Sequence, residues 1–345
     1  VPPEFSPEVL AEKSRSNRLP YLQIVRDCWF KDLSAENPNY RLPDFGKPLE
    51  WGPPPQYGYE RYWDTTVARK HVLWKDVDLP KPTKDLDQIR SDLFTWGYCI
   101  IQDALSPDQY GHMRQRVLDQ AQGEKAAGVP FKTLHGQYVW GLHNKGDCFV
   151  KCMQFDPEGV QAGPLLDVLM DELLGRGWLA HSFIANAADP GKYPQGLHQD
   201  QPFPFPQVRA PVLFNCVFIL EDTNEVNGGT LIVPGSHRLF EQAGDGPIGK
   251  LPPPINLEAP GGSIVLWDGR LLHGAGANRG ESRRYVCTMS CIKPWIRSQE
   301  NFALSVKPEV LARASPKLLL RMGFYPTTAG GVVEGHGNGG AGRIG

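Results

Sequence analysis

The sequence predicts a mainly β protein, a barrel or sandwich with helices packed on its outside, and two observations predict it. From Trp178 onward, short apolar segments alternate with Gly, Pro and Asn: Trp178 to Asn186, Val212 to Glu221, Gly229 to Val233, Ser263 to Trp267 and Arg284 to Lys293. Ahead of them, from about 84 to 175, apolar residues recur at helical spacing. Helices followed by strands in this order suit a sheet core with helices laid against it. Apolar material is sufficient, since 345 residues with 41% hydrophobic and 10% aromatic content can bury a sizeable core. That excludes a disordered chain.

Residues 1 to 83 hold 12 of the 32 prolines and 4 of the 9 tryptophans, including Pro53-Pro54-Pro55, and show no sustained period. Proline at this density opposes regular structure, but Trp29, Trp51, Trp63 and Trp74 need burial. The segment is therefore expected to be an arm packed over the core of its own domain or of a second copy, as in a homodimer. The folded domain is expected over 84–325. Leu86, Ile89, Leu93 and Trp96 fall at helical spacing, Gly97 stops the helix, and Tyr98 to Ile101 reads as a strand. Ser106-Pro107 opens a second helix, serine as its cap and proline at the first helical position, with Met113, Val117 and Ala121 on its apolar face. A third helix is expected from about Pro164 to Leu174, ending at Gly175, and residues 326–345 form a Gly-rich tail.

The 36 Lys+Arg and 38 Asp+Glu leave a net charge of −2, with no block of basic residues. That removes the electrostatic footprint of a nucleic-acid binder. The longest apolar stretch, Val212 to Leu220, is interrupted by Asn215 and is about half of the roughly 20 residues a membrane-spanning helix needs. No membrane partner is expected, and the first residues carry no basic patch followed by an apolar run of the kind a secretory signal shows. The remaining partner class is a small-molecule substrate. Seven cysteines, at 28, 99, 148, 152, 216, 287 and 291, lie mostly in apolar runs, as buried thiols do, which suits a reducing cytoplasm. Cys148/Cys152 and Cys287/Cys291 share a C-x3-C spacing. Both pairs read as strand-like, without the tight turns of a zinc knuckle.

One of the nine histidines has an acidic residue two positions later, in Leu197-His198-Gln199-Asp200. Strand alternation points residues two apart to the same face, so the imidazole and the carboxylate converge. A third ligand must come from elsewhere, and His237 in Pro234-Gly235-Ser236-His237 and His273 after Ile264-Val265-Leu266-Trp267 both sit near strand ends. Two histidines and one carboxylate on one face of an octahedron leave three positions open, the arrangement of non-heme Fe(II) oxygenases. Taken alone, the H-x-D pattern is equally that of a surface strand carrying both residues.

His198-Gln199-Asp200, the turn Asn227-Gly228-Gly229 leading to Pro234-Gly235-Ser236-His237, Gly262-Ser263 through His273-Gly274, and Arg284 eleven residues past the distal histidine occur in one order. In these motifs the chain resembles the phytanoyl-CoA dioxygenase family of Fe(II)/2-oxoglutarate enzymes, over roughly residues 86 to 295. The resemblance implies a double-stranded β-helix of the jelly-roll or cupin kind with flanking α-helices. It further implies Fe(II) held by His198, Asp200 and His273, and Arg284 pairing with the distal carboxylate of 2-oxoglutarate. A guanidinium suits that task because its planar fork meets a carboxylate through two parallel hydrogen bonds. Arg283 and Arg279 compete for the role. Alternation groups Arg284 with Val286, Thr288 and Ser290, and Arg283 with Tyr285, Cys287 and Met289, and leaves open which set faces inward. The family's spacing selects Arg284.

In these proteins the Pro-Gly-Ser-His segment looks like a structural turn, which sets His237 apart from the ligands. His135 and His143 flank Gln137, Tyr138 and Trp140, a loop expected to line the pocket. Gln137, Gln195 and Thr230 are candidates to hydrogen-bond the co-substrate or substrate, each with the alternative of a satisfied loop or turn residue. Many relatives carry a hydroxyl two residues past the distal histidine where this chain has Ala275, so another group must supply that contact. Beyond Asp200 the run Gln201-Pro202-Phe203-Pro204-Phe205 is apolar and stiff.

The activity implied is oxidation of an unactivated carbon with O2 and 2-oxoglutarate, releasing succinate and CO2, by hydroxylation, desaturation or ring formation. Asp200 fills the place that related halogenases leave for chloride. The aromatic arm, Trp140 and Phe203 favour a bulky small molecule of specialised metabolism. An acyl-CoA hydroxylase of the same family is the alternative, disfavoured by the lack of a basic cluster for the nucleotide. A non-catalytic β-helix binding a metal or ligand is the other.

Overall fold

In the computed structural model, residues 74–133, 135–192, 194–195, 197–201, 210–238 and 254–325 are described. The strands in chain order are β1 (Pro82–Thr83), β2 (Tyr98–Ile101), β3 (Phe131–Lys132), β4 (Gln137–Val139), β5 (Leu179–Ala188), β6 (Leu213–Ile219), β7 (Leu231–Ile232), β8 (Ile255–Asn256), β9 (Ile264–Asp268), β10 (His273–Gly274) and β11 (Arg284–Ile292). The helices are α1 (Leu86–Trp96), α2 (Pro107–Ala126), α3 (Asp147–Met153), α4 (Gly163–Leu174) and three short ones, α5 (Phe302–Ser305), α6 (Pro308–Leu311) and α7 (Pro316–Arg321). Eight strands form one sheet in the order β1-β2-β9-β6-β11-β5-β4-β3, and β10-β7-β8 form a second. The β1–β2 pairing is parallel, and the other pairings are antiparallel.

The large sheet has two unlike faces, and alternation sorts its residues between them. Cys99, Ile101, Phe214, Cys216, Phe218, Ile264, Leu266, Tyr285, Cys287, Met289 and Cys291 meet apolar residues of α1, α2, α3 and α4 in one core. Their neighbours in sequence, Tyr98, Ile100, Val217, Ile219, Val265, Trp267 and Val286, point the other way and pack with Ile232, Ile255 and Leu257 around the smaller sheet. The even-numbered set of β11 therefore faces away from the helices, which resolves the question that alternation had left open.

Local chemistry explains the helix ends. Asp85 caps α1 by accepting from the Gln88 amide at 2.8 Å, and Gly97 ends it at φ 79°, a left-handed conformation that favours glycine. A Cβ at Gly97 would also sit 2.5 Å from Nδ1 of His237. Ser106 and Gln109 form a reciprocal capping box at the start of α2, with Pro107 in the first turn.

Three expectations need amendment. Cys148 and Cys152 lie on the helix α3, where four-residue spacing stacks them on one side, and not on a strand. Strand β7 falls within the expected Gly229 to Val233, but β3, β4 and β8 were not expected, because two or three residues cannot display alternation. The last stretch of the expected arm is part of the core: Trp74 packs edge-on against Trp96 at 6.5 Å, and Pro82 and Thr83 pair with Ile100 and Ile101. The rest of the arm, including Trp29, Trp51 and Trp63, lies outside the described residues, as do Phe203, Phe205, Cys28 and the Gly-rich tail. The six described cysteines are free thiols, and no described helix is long and apolar enough to cross a membrane.

Candidate active site

At the mouth of the space between the two sheets, His198 and His273 pair as an isolated antiparallel bridge, His198 N to His273 O at 2.9 Å and His273 N to His198 O at 3.0 Å. That backbone pairing brings two residues 75 apart in sequence side by side, with ring centroids 4.5 Å apart. Asp200, two residues along from His198, completes the cluster. Its Oδ1 lies 3.4 Å from Nε2 of His198 and its Oδ2 lies 3.1 Å from Nε2 of His273. One donor atom from each of the three residues falls within 4.8 Å of the others, a set that could hold a metal ion.

The supporting hydrogen bonds prepare these donors. Nδ1 of His273 lies 2.9 Å from the Leu271 carbonyl, which can only accept, so Nδ1 carries a proton and the ring is oriented with Nε2 toward the cluster. Trp267 lies 4.9 Å beneath that ring. Gln199 turns its amide to the Arg270 carbonyl and ties the His198–Asp200 segment to the β9–β10 loop. Burial alone would raise the Asp200 carboxyl. The charge and hydrogen bonds of His273 and His198 outweigh it and hold the group well below the usual carboxylate range.

The cluster opens into a cavity of about 260 Å³ that runs along β11. Register fixes its two ends, because Arg284 pairs with Ala188 and Ser290 with Ser182, six residues or about 20 Å apart along the strand. At one end Arg284 is 3% exposed and donates to the carbonyls of Gly228 and Asn227. Gly228 reaches that position at φ 79°. No carboxylate among the described residues forms an ion pair with Arg284, and its Nη1 has no hydrogen-bond partner there. Burial pulls its pKa down to about 10, against the opposing charge of Glu221. An unpaired guanidinium facing a cavity is a site for an anion. Its competitors are spent: Arg283 is bound to Asp189, and Arg279 to Glu225 at 2.7 Å.

Gln195 and Thr230 also line the cavity. The Gln195 Oε1 accepts from the Ala275 amide at 3.2 Å, and its backbone N–H donates to the Ala275 carbonyl at 2.8 Å, so this side chain stands at the position where the hydroxyl is missing. Gln137 does not belong with them. Strand β4 turns it away, and its amide donates to the Ala121 carbonyl at 3.1 Å, while Tyr138 and Trp140 line the cavity instead. His143 is buried against Phe302, and His237 packs under Gly97 with Nε2 3.3 Å from the Phe94 carbonyl, so both are structural.

Sequence reasoning missed two further polar groups. A bulge at Ser290/Cys291 leaves His181 without a partner on β11 and turns it into the cavity, where its Nδ1 accepts from the Gln299 amide at 3.1 Å. Burial lowers its pKa to about 4, and lowers that of His135, beside His198, to about 4 as well. Asn215, fully buried on β6, donates to Oδ2 of Asp200 at 2.8 Å and accepts from the Ser290 hydroxyl at 2.6 Å. Its signal was present in the sequence as the one polar break in the apolar run from Val212 to Leu220.

The family profile described as phytanoyl-CoA dioxygenase (PhyH) matches residues 95–286, more than half of the chain. Dioxygenase af480 of Aspergillus fumigatus is 34% identical over 157 residues, covering 44% of this chain and 49% of that protein, so the chain spans about half of that relative's length. Dioxygenase trt7 of Aspergillus terreus is 29% identical over 220 residues, 61% of this chain and 74% of that one. Among solved structures, the non-heme alpha-ketoglutarate-dependent carbocyclase SnoK from nogalamycin biosynthesis aligns with a TM-score of 0.50 at 18% identity, over 70% of this chain and 95% of that one, a likeness of fold.

Proposed function

The chain belongs to the phytanoyl-CoA dioxygenase family of Fe(II)/2-oxoglutarate-dependent oxygenases, and from that premise we propose that it oxidises an unactivated carbon of a bulky small molecule. The two sheets are read as a double-stranded β-helix, with His198, Asp200 and His273 as the metal ligands at its mouth. The observation that carries this reading is the sharing of one cavity by a three-donor cluster and a buried arginine that lacks a carboxylate partner among the described residues.

Bound there, Fe(II) with 2-oxoglutarate and O2 supplies the oxidising power for C–H cleavage, with release of succinate and CO2. The protein's part is to position and to exclude water. Arg284 would meet the distal carboxylate of 2-oxoglutarate, and Thr230 is on the wall of the same cavity. Gln195, held by Ala275 through its oxygen, offers its amide N–H in place of the missing hydroxyl. Tyr138, Trp140, Ile184, Leu213 and Val286 supply apolar and aromatic surface to a wall that also carries His181, Ser182, Asn186, Thr288 and Ser290, which suits a bulky, partly apolar substrate. The relatives are named as dioxygenases of Aspergillus species, in keeping with an oxidative role.

The test is succinate release by protein reconstituted with Fe(II) and 2-oxoglutarate and exposed to O2, screened against polycyclic terpenoids and polyketides and against acyl-CoA thioesters. Succinate formation that a polycyclic compound accelerates, and that His273→Ala abolishes, is expected. Acceleration by acyl-CoA thioesters alone would overturn the substrate class. Absence of any succinate from metal-loaded protein would overturn the activity.

A further inference from the structure

Asn215 is a costly residue where it stands. It is fully buried within an otherwise apolar strand, and an amide so placed weakens the core unless its hydrogen bonds are made. Its Cα partner on β11 is Ser290, and its side chain bridges Ser290 and Asp200. The direction of this chain of bonds is fixed by chemistry. An ionised carboxylate only accepts, so the Asn215 amide must turn its NH2 to Asp200. Its oxygen then faces Ser290, whose hydroxyl must donate.

The two oxygens of Asp200 are thereby made unequal. Oδ2 accepts the Asn215 N–H at 2.8 Å and lies 3.1 Å from Nε2 of His273, while Oδ1 lies 3.4 Å from Nε2 of His198 with no amide on it among the described residues. We propose that Asn215, itself oriented by Ser290, is a positioning residue that pins Oδ2 so that Asp200 meets a metal ion through one oxygen. A carboxylate free to rotate takes a second coordination position with its other oxygen. A pinned one leaves that position for the co-substrate. The proposal rests on the reading of His198, Asp200 and His273 as metal ligands, and concerns how one of them is presented.

The probes are Co(II) and 2-oxoglutarate, added to metal-free full-length protein and followed by calorimetry and by the visible ligand-field spectrum of Co(II). Asn215→Leu, close in volume and apolar, is expected to bind Co(II) about 10–100-fold more weakly, as loss of a group supporting a metal ligand commonly does. Its Co(II) spectrum is expected to shift, and its affinity for 2-oxoglutarate to fall. Ser290→Ala should move each readout the same way by a smaller factor, and Ser290→Thr, which restores the hydroxyl, should return them to wild-type values. If Asn215→Leu does not fold, the Ser290 pair carries the test. Wild-type affinity and spectrum in Asn215→Leu, or in Ser290→Ala where only that variant folds, would overturn the proposal and leave the metal centre standing. Co(II) binding by His198→Ala as tight as by wild type would overturn the metal-centre reading and the proposal with it.

Discussion

The two faces of β11 are built to different rules. Toward the helices, Tyr285, Cys287, Met289 and Cys291 are buried among apolar side chains, where volume and fit decide what is tolerated. Toward the cavity, Arg284, Thr288 and Ser290 sit one residue away along the same strand. There the identity of each partner decides. Alternation with a period of two lets one strand serve as both the wall of a core and the floor of a site.

Exchanging residues across that divide gives the largest expected effects. Met289→Ala should lower unfolding stability by about 2–5 kcal/mol, measured by chemical denaturation, and leave 2-oxoglutarate affinity within a factor of two. Arg284→Leu should do the reverse. Removing one partner of a buried charge pair costs about 2–5 kcal/mol of binding, a loss of 2-oxoglutarate affinity of at least about 30-fold by calorimetry. Metal-free stability should change little, because the bonds lost to the Gly228 and Asn227 carbonyls are offset by removing a buried guanidinium with no carboxylate partner among the described residues. Parallel losses of stability and affinity in both variants would erase the distinction between the faces.

Acid should act through the buried histidines, among them His181 on the cavity wall. The pKa values of His135 and His181 are lowered by burial from 6.5 to about 4, so between those values the unfolded chain binds protons that the folded chain does not. Stability of the metal-free protein is then full above about pH 6.5 and falls as pH drops toward 4, with a limiting slope of about 1.4 kcal/mol per pH unit for each histidine. Denaturation series at pH 7, 6 and 5 measure this, and His181→Phe should reduce the slope by about one proton. An unchanged slope in that variant contradicts the burial of a neutral His181.

The smallest effects sharpen the contrast at neighbouring positions. Cys287→Ser places a hydroxyl among apolar groups and should cost about 1–3 kcal/mol. Thr288→Val removes one from the cavity wall and should change stability by no more than about 0.5 kcal/mol. Thermal unfolding of the two variants side by side checks both.

These contrasts also show what was legible in the sequence. Helices α1, α2 and α4 and the longer strands were readable because an apolar period agrees with a side-chain cap in α1 and α2 and with a glycine stop in α1 and α4. That His198, Asp200 and His273 cluster, and that Arg284 shares their cavity, was expected from the order of the family's motifs, although which face of β11 turned inward required the helix-side core to be seen. Gln137 misled because a three-residue strand gives too little pattern to fix its direction, and its amide found Ala121. Asn215 and His181 were hidden for different reasons. Asn215 broke an apolar run but its partners are 15 and 75 residues away, and the turning of His181 depends on a bulge set by the register with β11.

The most direct test of the central claim, that one cavity holds Fe(II) at His198, Asp200 and His273 and 2-oxoglutarate at Arg284, is an anaerobic titration of 2-oxoglutarate into Fe(II)-loaded protein, following the visible charge-transfer band of the chelate. The account predicts a saturable band in the wild type, none in His198→Ala, and one in Arg284→Leu that requires at least about 30-fold more 2-oxoglutarate. A wild-type protein that binds Fe(II) but gives no band, or an Arg284→Leu curve that overlays the wild type, would contradict it.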